Sequence, residues 1–204
     1  MHRSRILLAL VAGFSIAAPA GAGFKLMPAG QSFQVGKSSL TVTPDRDWNR
    51  LGSRVGRNAE SWTLDGLSLN DITFYGGIAD DQTLFKEIDK KEKPLPRFSK
   101  TMLLPDVASL FEGSYRIANG TSLFTIDSIE PSMFAGRPGF HFAYSFTVET
   151  DEVRRKGEAV GAIVDGRLYM ITFEAPVIHY FARDVDAFRN LAASAHFAVV
   201  HKER

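Results

Sequence analysis

Glu174, His179 and Tyr180 stand together just past an apolar run, in the stretch GAIVDGRLYMITFEAPVIHYF from Gly161 to Phe181. A carboxyl, an imidazole and a phenol this close are residue types suited to general acid–base work. The exit of a strand is also where loops commonly host chemistry on a rigid scaffold. Pro176 argues the other way. It breaks the strand two residues after Glu174, so VIHYF reads as an apolar connection into a last helix, with His179 and Tyr180 as its polar tips. No nucleophile with a partnered base stands nearby, since neither Thr172 nor Ser194 has a pattern around it. The three residues are therefore binding candidates, none is assigned a catalytic role, and packing at the end of a sheet is the leading reading.

Other chemistry finds less support. The sequence contains no G-x-S-x-G elbow, no H-E-x-x-H, no P-loop and no G-x-G-x-x-G. Acidic pairs at Asp80-Asp81, Asp151-Glu152 and Asp184-x-Asp186 lack the regular oxygen ligands and distal glutamate of a calcium loop. With no cysteine there is no disulfide framework, no thiolate nucleophile and no zinc–thiolate site. No cofactor and no metal is expected. His141 falls on the small, polar side of its strand, His196 follows the closing helix, and His201 sits in the tail HKER.

The elements that must position these residues follow from periodicity. Leu40 and Val42 alternate with Ser39, Thr41 and Thr43 in a short strand stopped by Pro44. PDRDWNRLGSRVGRN is turn-rich, Asp65-Gly66 marks a tight turn between two short apolar runs, and LNDITFYGG predicts a strand that breaks at Gly76-Gly77. Residues 85–100 interleave lysines with acids and read as solvated surface. LPDVASLFEGSYRIANG predicts a helix with Pro105 in its first turn and Val107, Leu110, Phe111 and Ser114 on one stripe, closed by Asn119-Gly120. SLFTIDSI predicts a strand ended by Pro131.

The last third is the clearest. Phe140, Phe142, Tyr144, Phe146 and Val148 alternate with smaller or polar residues, giving one bulky apolar face. GEAVGAIV and RLYMITF flank Asp165-Gly166, a strong hairpin signal. Both are apolar on both faces, which requires a covering layer above and below the sheet. A closing helix is expected from Asp184, acting as cap, with Val185, Phe188, Leu191, Ala192 and Ala195 along one stripe.

The chain opens on a basic start (Arg3, Arg5), an apolar run from Ile6 to Ala18, and Ala20-Gly21-Ala22, an A-x-A cleavage signature. Residues 1–22 read as a secretory signal peptide, because the run is shorter than the roughly 20 residues that span a bilayer. Residues 23–37 read as an arm or linker and residues 38–204 as a single domain. Removing Arg3 and Arg5 turns the net charge of +1 into −1, so the mature chain has no electrostatic footprint for nucleic acid and no stable membrane insertion is expected. The expected location is periplasmic or secreted.

The stretches LTVTPDRDW (40–48), GRPGFHFAYSF (136–146), GRLYMITFEAP (166–176) and DVDAFRNLAAS (184–194) together resemble the PsbP-like superfamily. WNR (48–50), WTLDGL (62–67) and HYF (179–181) are also similar to an uncharacterised group of exported proteobacterial proteins. The resemblance implies an α+β fold, an antiparallel β-sheet with helices on both faces in an α/β/α sandwich. It says little about activity, since known members of the superfamily bind partners and mostly do no chemistry. The leading expectation is a noncatalytic envelope protein that binds a partner protein in assembly or maintenance of an envelope component. A small-molecule or lipid-binding protein is one alternative, and a hydrolase using Glu174 and His179 is another.

Overall fold

The computed structural model describes residues 23–121, 123–147 and 153–198. Residues 1–22, expected to be a signal peptide, Val148, the acidic pair at Asp151-Glu152 and His201 lie outside the described residues. In chain order the elements are β1 (Lys25–Met27), β2 (Phe33–Gln34), β3 (Leu40–Val42), β4 (Trp48–Arg50), β5 (Ala59–Thr63), β6 (Asp71–Ile78), α1 (Leu104–Asn119), β7 (Leu123–Phe134), β8 (Arg137–Thr147), β9 (Arg154–Val164), β10 (Arg167–Pro176), α2 (Tyr180–Ala193) and β11 (His196–Phe197). Eight strands form one sheet in the order β1-β4-β5-β6-β10-β9-β8-β7, and β11-β3-β2 form a second, small one. All pairings are antiparallel.

The doubly apolar pattern of β10 is accounted for by two cores. Leu168 and Met170 join α1, Phe98 and the aromatic row Phe140, Phe142, Tyr144 and Phe146 on one face. Tyr169, Ile171 and Phe173 join α2, both tryptophans and the small sheet on the other. This is an antiparallel sheet with a helix on each face. Asp165 (φ 50°) and Gly166 (φ 70°) form the tight turn between β9 and β10, as the Asp-Gly pair predicts.

Several boundaries differ from the sequence reading. Strand β6 does not break at Gly76-Gly77 but runs on to Ile78 through a bulge, with Gly77 at φ 81°. Strand β7 passes through Pro131 to Phe134, because an edge strand has no ladder partner on one side to miss the proline's N–H. WNR is a strand with Trp48 fully buried, whereas the apolar run after Asp65-Gly66 stays in the turn. Helix α2 starts at Tyr180, four residues before the expected cap. Asp184 lies inside it, buried, and bonded to Arg183 and Asn70. Residues 23–37 contribute β1 and β2 and bury Met27 and Val35. The lysines of residues 85–100 are exposed as expected, while Phe98, with Leu84 just before the segment, anchors it in the α1-side core and Leu95 is buried.

Candidate functional site

Side chains alternate along β10, so Thr172 and Glu174 face α1 while Phe173 faces α2. Directly opposite on β6, Asp71 pairs with Glu174 and Thr73 with Thr172. A polar strip therefore crosses one end of an otherwise aromatic core, under the last turns of α1. Strand register extends the row further. Glu174 stands opposite Gly157 on β9, and Gly157 stands opposite Tyr144 on β8. Because Gly157 has no side chain, the Tyr144 ring lies across it, and a Cβ there would fall 2.1 Å from the ring. Tyr144 thereby reaches Glu174, donating from its hydroxyl to Oε2 at 3.5 Å, and Tyr115 of α1 donates to Oε1 at 2.9 Å.

Glu174 and Tyr115 line a chamber of about 480 Å³ with Asp71, Thr73, Tyr75, Phe85 and Phe111 among its walls. Glu174 keeps partial exposure at the mouth, yet its carboxyl lies beneath two phenols. Burial is the main cause that pushes its pKa up to about 7, against the pull of the Tyr115 hydrogen bond and the charge of Arg155. Asp71 is raised well above the usual carboxylate range, first by burial and then by the charge of Glu174. Its Oδ2 accepts from Thr73 at 3.2 Å, whereas its Oδ1 is closed off from solvent with no hydrogen-bond partner. Burial also holds the hydroxyls of Tyr75, Tyr115 and Tyr144 neutral well above their ordinary range. The arrangement is a pair of carboxyls whose burial favours the protonated form, ringed by neutral donors. It can offer a proton or hold a small polar group.

His179 and Tyr180 are not part of it. His179 is exposed and forms the N-cap of α2 at φ 71°, with no side-chain capping bond. Tyr180 donates its backbone N–H to Ile178 at 2.9 Å across it, and its ring packs in the α2-side core. The three candidates are thus split between the two faces, because Pro176 ends the strand and the chain turns onto α2. Asp71, Tyr115 and Tyr144 were missed as partners of Glu174. The signal that could have found them is the polar alternation Asp71/Thr73 and Thr172/Glu174 inside two apolar strands.

Two polar clusters brace the other face. Asn70 accepts from Thr63, Leu64 and Asp65 and donates to Asp65 and Asp184. Arg183 pairs with both of those acids, which fixes the 64–70 turn to α2. The Arg183 hydrogen bond is the main cause that lowers the pKa of Asp65. His141 sits between Glu130 (2.8 Å) and Glu158 (3.4 Å), and Glu158 is held by Arg189 of α2 at 2.6 Å. His196 approaches the Ser194 carbonyl at 3.2 Å. Among the described residues no group of His, Cys, Asp and Glu is arranged to hold a metal ion, and no helix is long and apolar enough to cross a membrane.

No family model and no curated protein matches the chain. Among solved structures, that of cyanobacterial PsbP (CyanoP) from Synechocystis sp. PCC 6803 covers 93% of this chain and 98% of its own, at 16% identity and a TM-score of 0.52. The chain has a PsbP-like fold. A crystal structure from Bacteroides thetaiotaomicron VPI-5482 covers 86% of this chain and 51% of its own, at 10% identity and a TM-score of 0.51.

Proposed function

We propose that this is a noncatalytic exported envelope protein that binds a partner protein, in the assembly or maintenance of another envelope component. In this reading residues 1–22 are its signal peptide and residues 23–37 an arm laid on a domain formed by 38–204. The observation that carries it is an apolar groove of about 630 Å³ beside the outer strand of the large sheet. Leu103 and Pro105 at the start of α1 form one wall, and Ile129 and Pro131 of β7 form the other. Leu103 is 71% exposed and Ile129 40%, and Met133 on the same strand is 65% exposed. Apolar side chains left in water next to a strand edge suit a partner's apolar segment, one that can also pair with the open edge. The test is proximity labelling in the periplasm of a native host with wild type and Ile129→Lys. Neighbours enriched by wild type should be lost in the variant at unchanged melting temperature, and equal enrichment by both rejects the reading.

The chamber under α1 favours a second reading, the binding of a small molecule that hydrogen-bonds to Asp71 and Glu174. Tyr115→Phe with Glu174→Gln should then abolish ligand capture while leaving the groove's partners in place. A hydrolase built on Glu174 and His179 finds no support, since the two lie on opposite faces of the sheet.

A further inference from the structure

A separate pocket of about 330 Å³ opens where the β2–β3 turn, the β4–β5 loop, the β6 bulge and the start of β10 meet. Lys37, Arg54, Arg57 and Arg167 converge on it, all four exposed. Its carboxylate, Glu60, is already engaged by the Trp62 indole N–H, the Gly36 backbone N–H and Arg50. Lys37, Arg54 and Arg57 make no hydrogen bond or ion pair among the described residues. Arg167 is held at the rim because the positive φ of Gly77 presents that residue's carbonyl to its guanidinium at 3.4 Å, with the Asn58 amide on the same oxygen at 3.2 Å. The near-neutral charge of the whole chain therefore hides a local excess of cation around a concave surface.

We infer that this pocket binds a phosphate-bearing group. Three guanidiniums offer the planar, paired donors that match phosphate oxygens, and the concave wall concentrates their field on one site. The pocket shares no lining residue with the apolar groove, so a partner there and an anion here are independent. The phosphate group could arrive on a small soluble compound or on a lipid headgroup, and the experiment separates the two.

Isothermal titration calorimetry with sodium pyrophosphate at low ionic strength is one arm. Cosedimentation with phosphatidylglycerol vesicles, against phosphatidylcholine vesicles, is the other. Saturable binding in at least one arm is expected. It should weaken at least tenfold in Arg57→Ala/Arg167→Ala, fall with added salt, and stay unchanged in Lys91→Ala on the exposed 85–100 segment. Binding to pyrophosphate identifies a soluble ligand, and binding to vesicles alone identifies a headgroup. Both substituted arginines are exposed, so an unchanged melting temperature certifies the variant's fold. A single-arginine pair, Lys37→Ala/Arg57→Ala, replaces it if that temperature drops. Absence of binding in both arms, or binding by the folded variants equal to wild type, overturns the inference.

Discussion

Glu174 sets the most specific expectation at the scale of single residues. Its pKa rises from 4.5 to about 7 on folding, so between those values the native state keeps a proton that the unfolded chain releases. Stability linked to this group is fully present below about pH 4.5 and is lost as pH climbs through about 7. Glu174→Gln carries no titrating proton there, and its melting temperature should fall less between pH 5 and pH 8 than that of wild type. Parallel slopes for the two proteins would sink the assignment. His179 carries the opposite kind of lesson. Its φ of 71° and ψ of −56°, closed by the Ile178–Tyr180 hydrogen bond, make a rare and strained γ-turn at a non-glycine residue. His179→Gly should therefore raise the melting temperature, by the equivalent of about 1 kcal/mol, and a lower value would show that the ring contact with Tyr180 outweighs the strain. Pro176, between Glu174 and His179, already marks a connection into the last helix in the sequence. What the residue string does not give is the face each side chain takes, Glu174 toward α1 and His179 at the start of α2.

At the scale of elements, alternation was legible and register was not. The two-residue period of β8 and the two-sided apolarity of β9 and β10 were enough to require a sheet covered twice. The α1 stripe likewise named the residues that pack. Nothing local, however, aligns Tyr144, Gly157, Glu174 and Asp71 across four strands, because that row depends on pairings made between distant segments. Proline and glycine misled for the same reason. Pro131 sits on a strand edge and Gly77 in a bulge, so neither ends its strand. The row itself is testable at Gly157. A methyl there would meet the Tyr144 ring, so Gly157→Ala should displace Tyr144 from Glu174 and destabilise the fold by about 1–3 kcal/mol, the usual cost of overpacking, measured by urea denaturation. A variant as stable as wild type would mean the ring moves aside freely. On the other face Phe173 is fully buried and stacks on Phe188 at 5.6 Å. Phe173→Ala should cost about 3–5 kcal/mol by the same measurement, and a loss under about 1 kcal/mol would contradict its central place.

For the molecule as a whole, two cores share one sheet. Strands β6, β9 and β10 each lend side chains to both, so neither core can dissolve without stripping the strands of the other. Trp48 and Trp62 lie in the α2-side core alone, so tryptophan fluorescence follows that side while far-UV circular dichroism follows both helices. The two signals should trace one coincident transition. A dichroism step that fluorescence does not share would show the α1 layer unfolding by itself.

The small sheet places Leu40–Val42 between Phe33–Gln34 from the beginning of the described chain and His196–Phe197 from its end. A pairing of such long sequence separation costs loop-closure entropy before it returns any contact, so it belongs among the late and slow events of folding. For a polypeptide threaded through a membrane with its N-terminus leading, the consequence is a matter of timing. Until Phe197 has emerged, β3 has only one of its two neighbours. Any passage of this chain in that direction would leave the small sheet open until residues 196–197 arrive to close it.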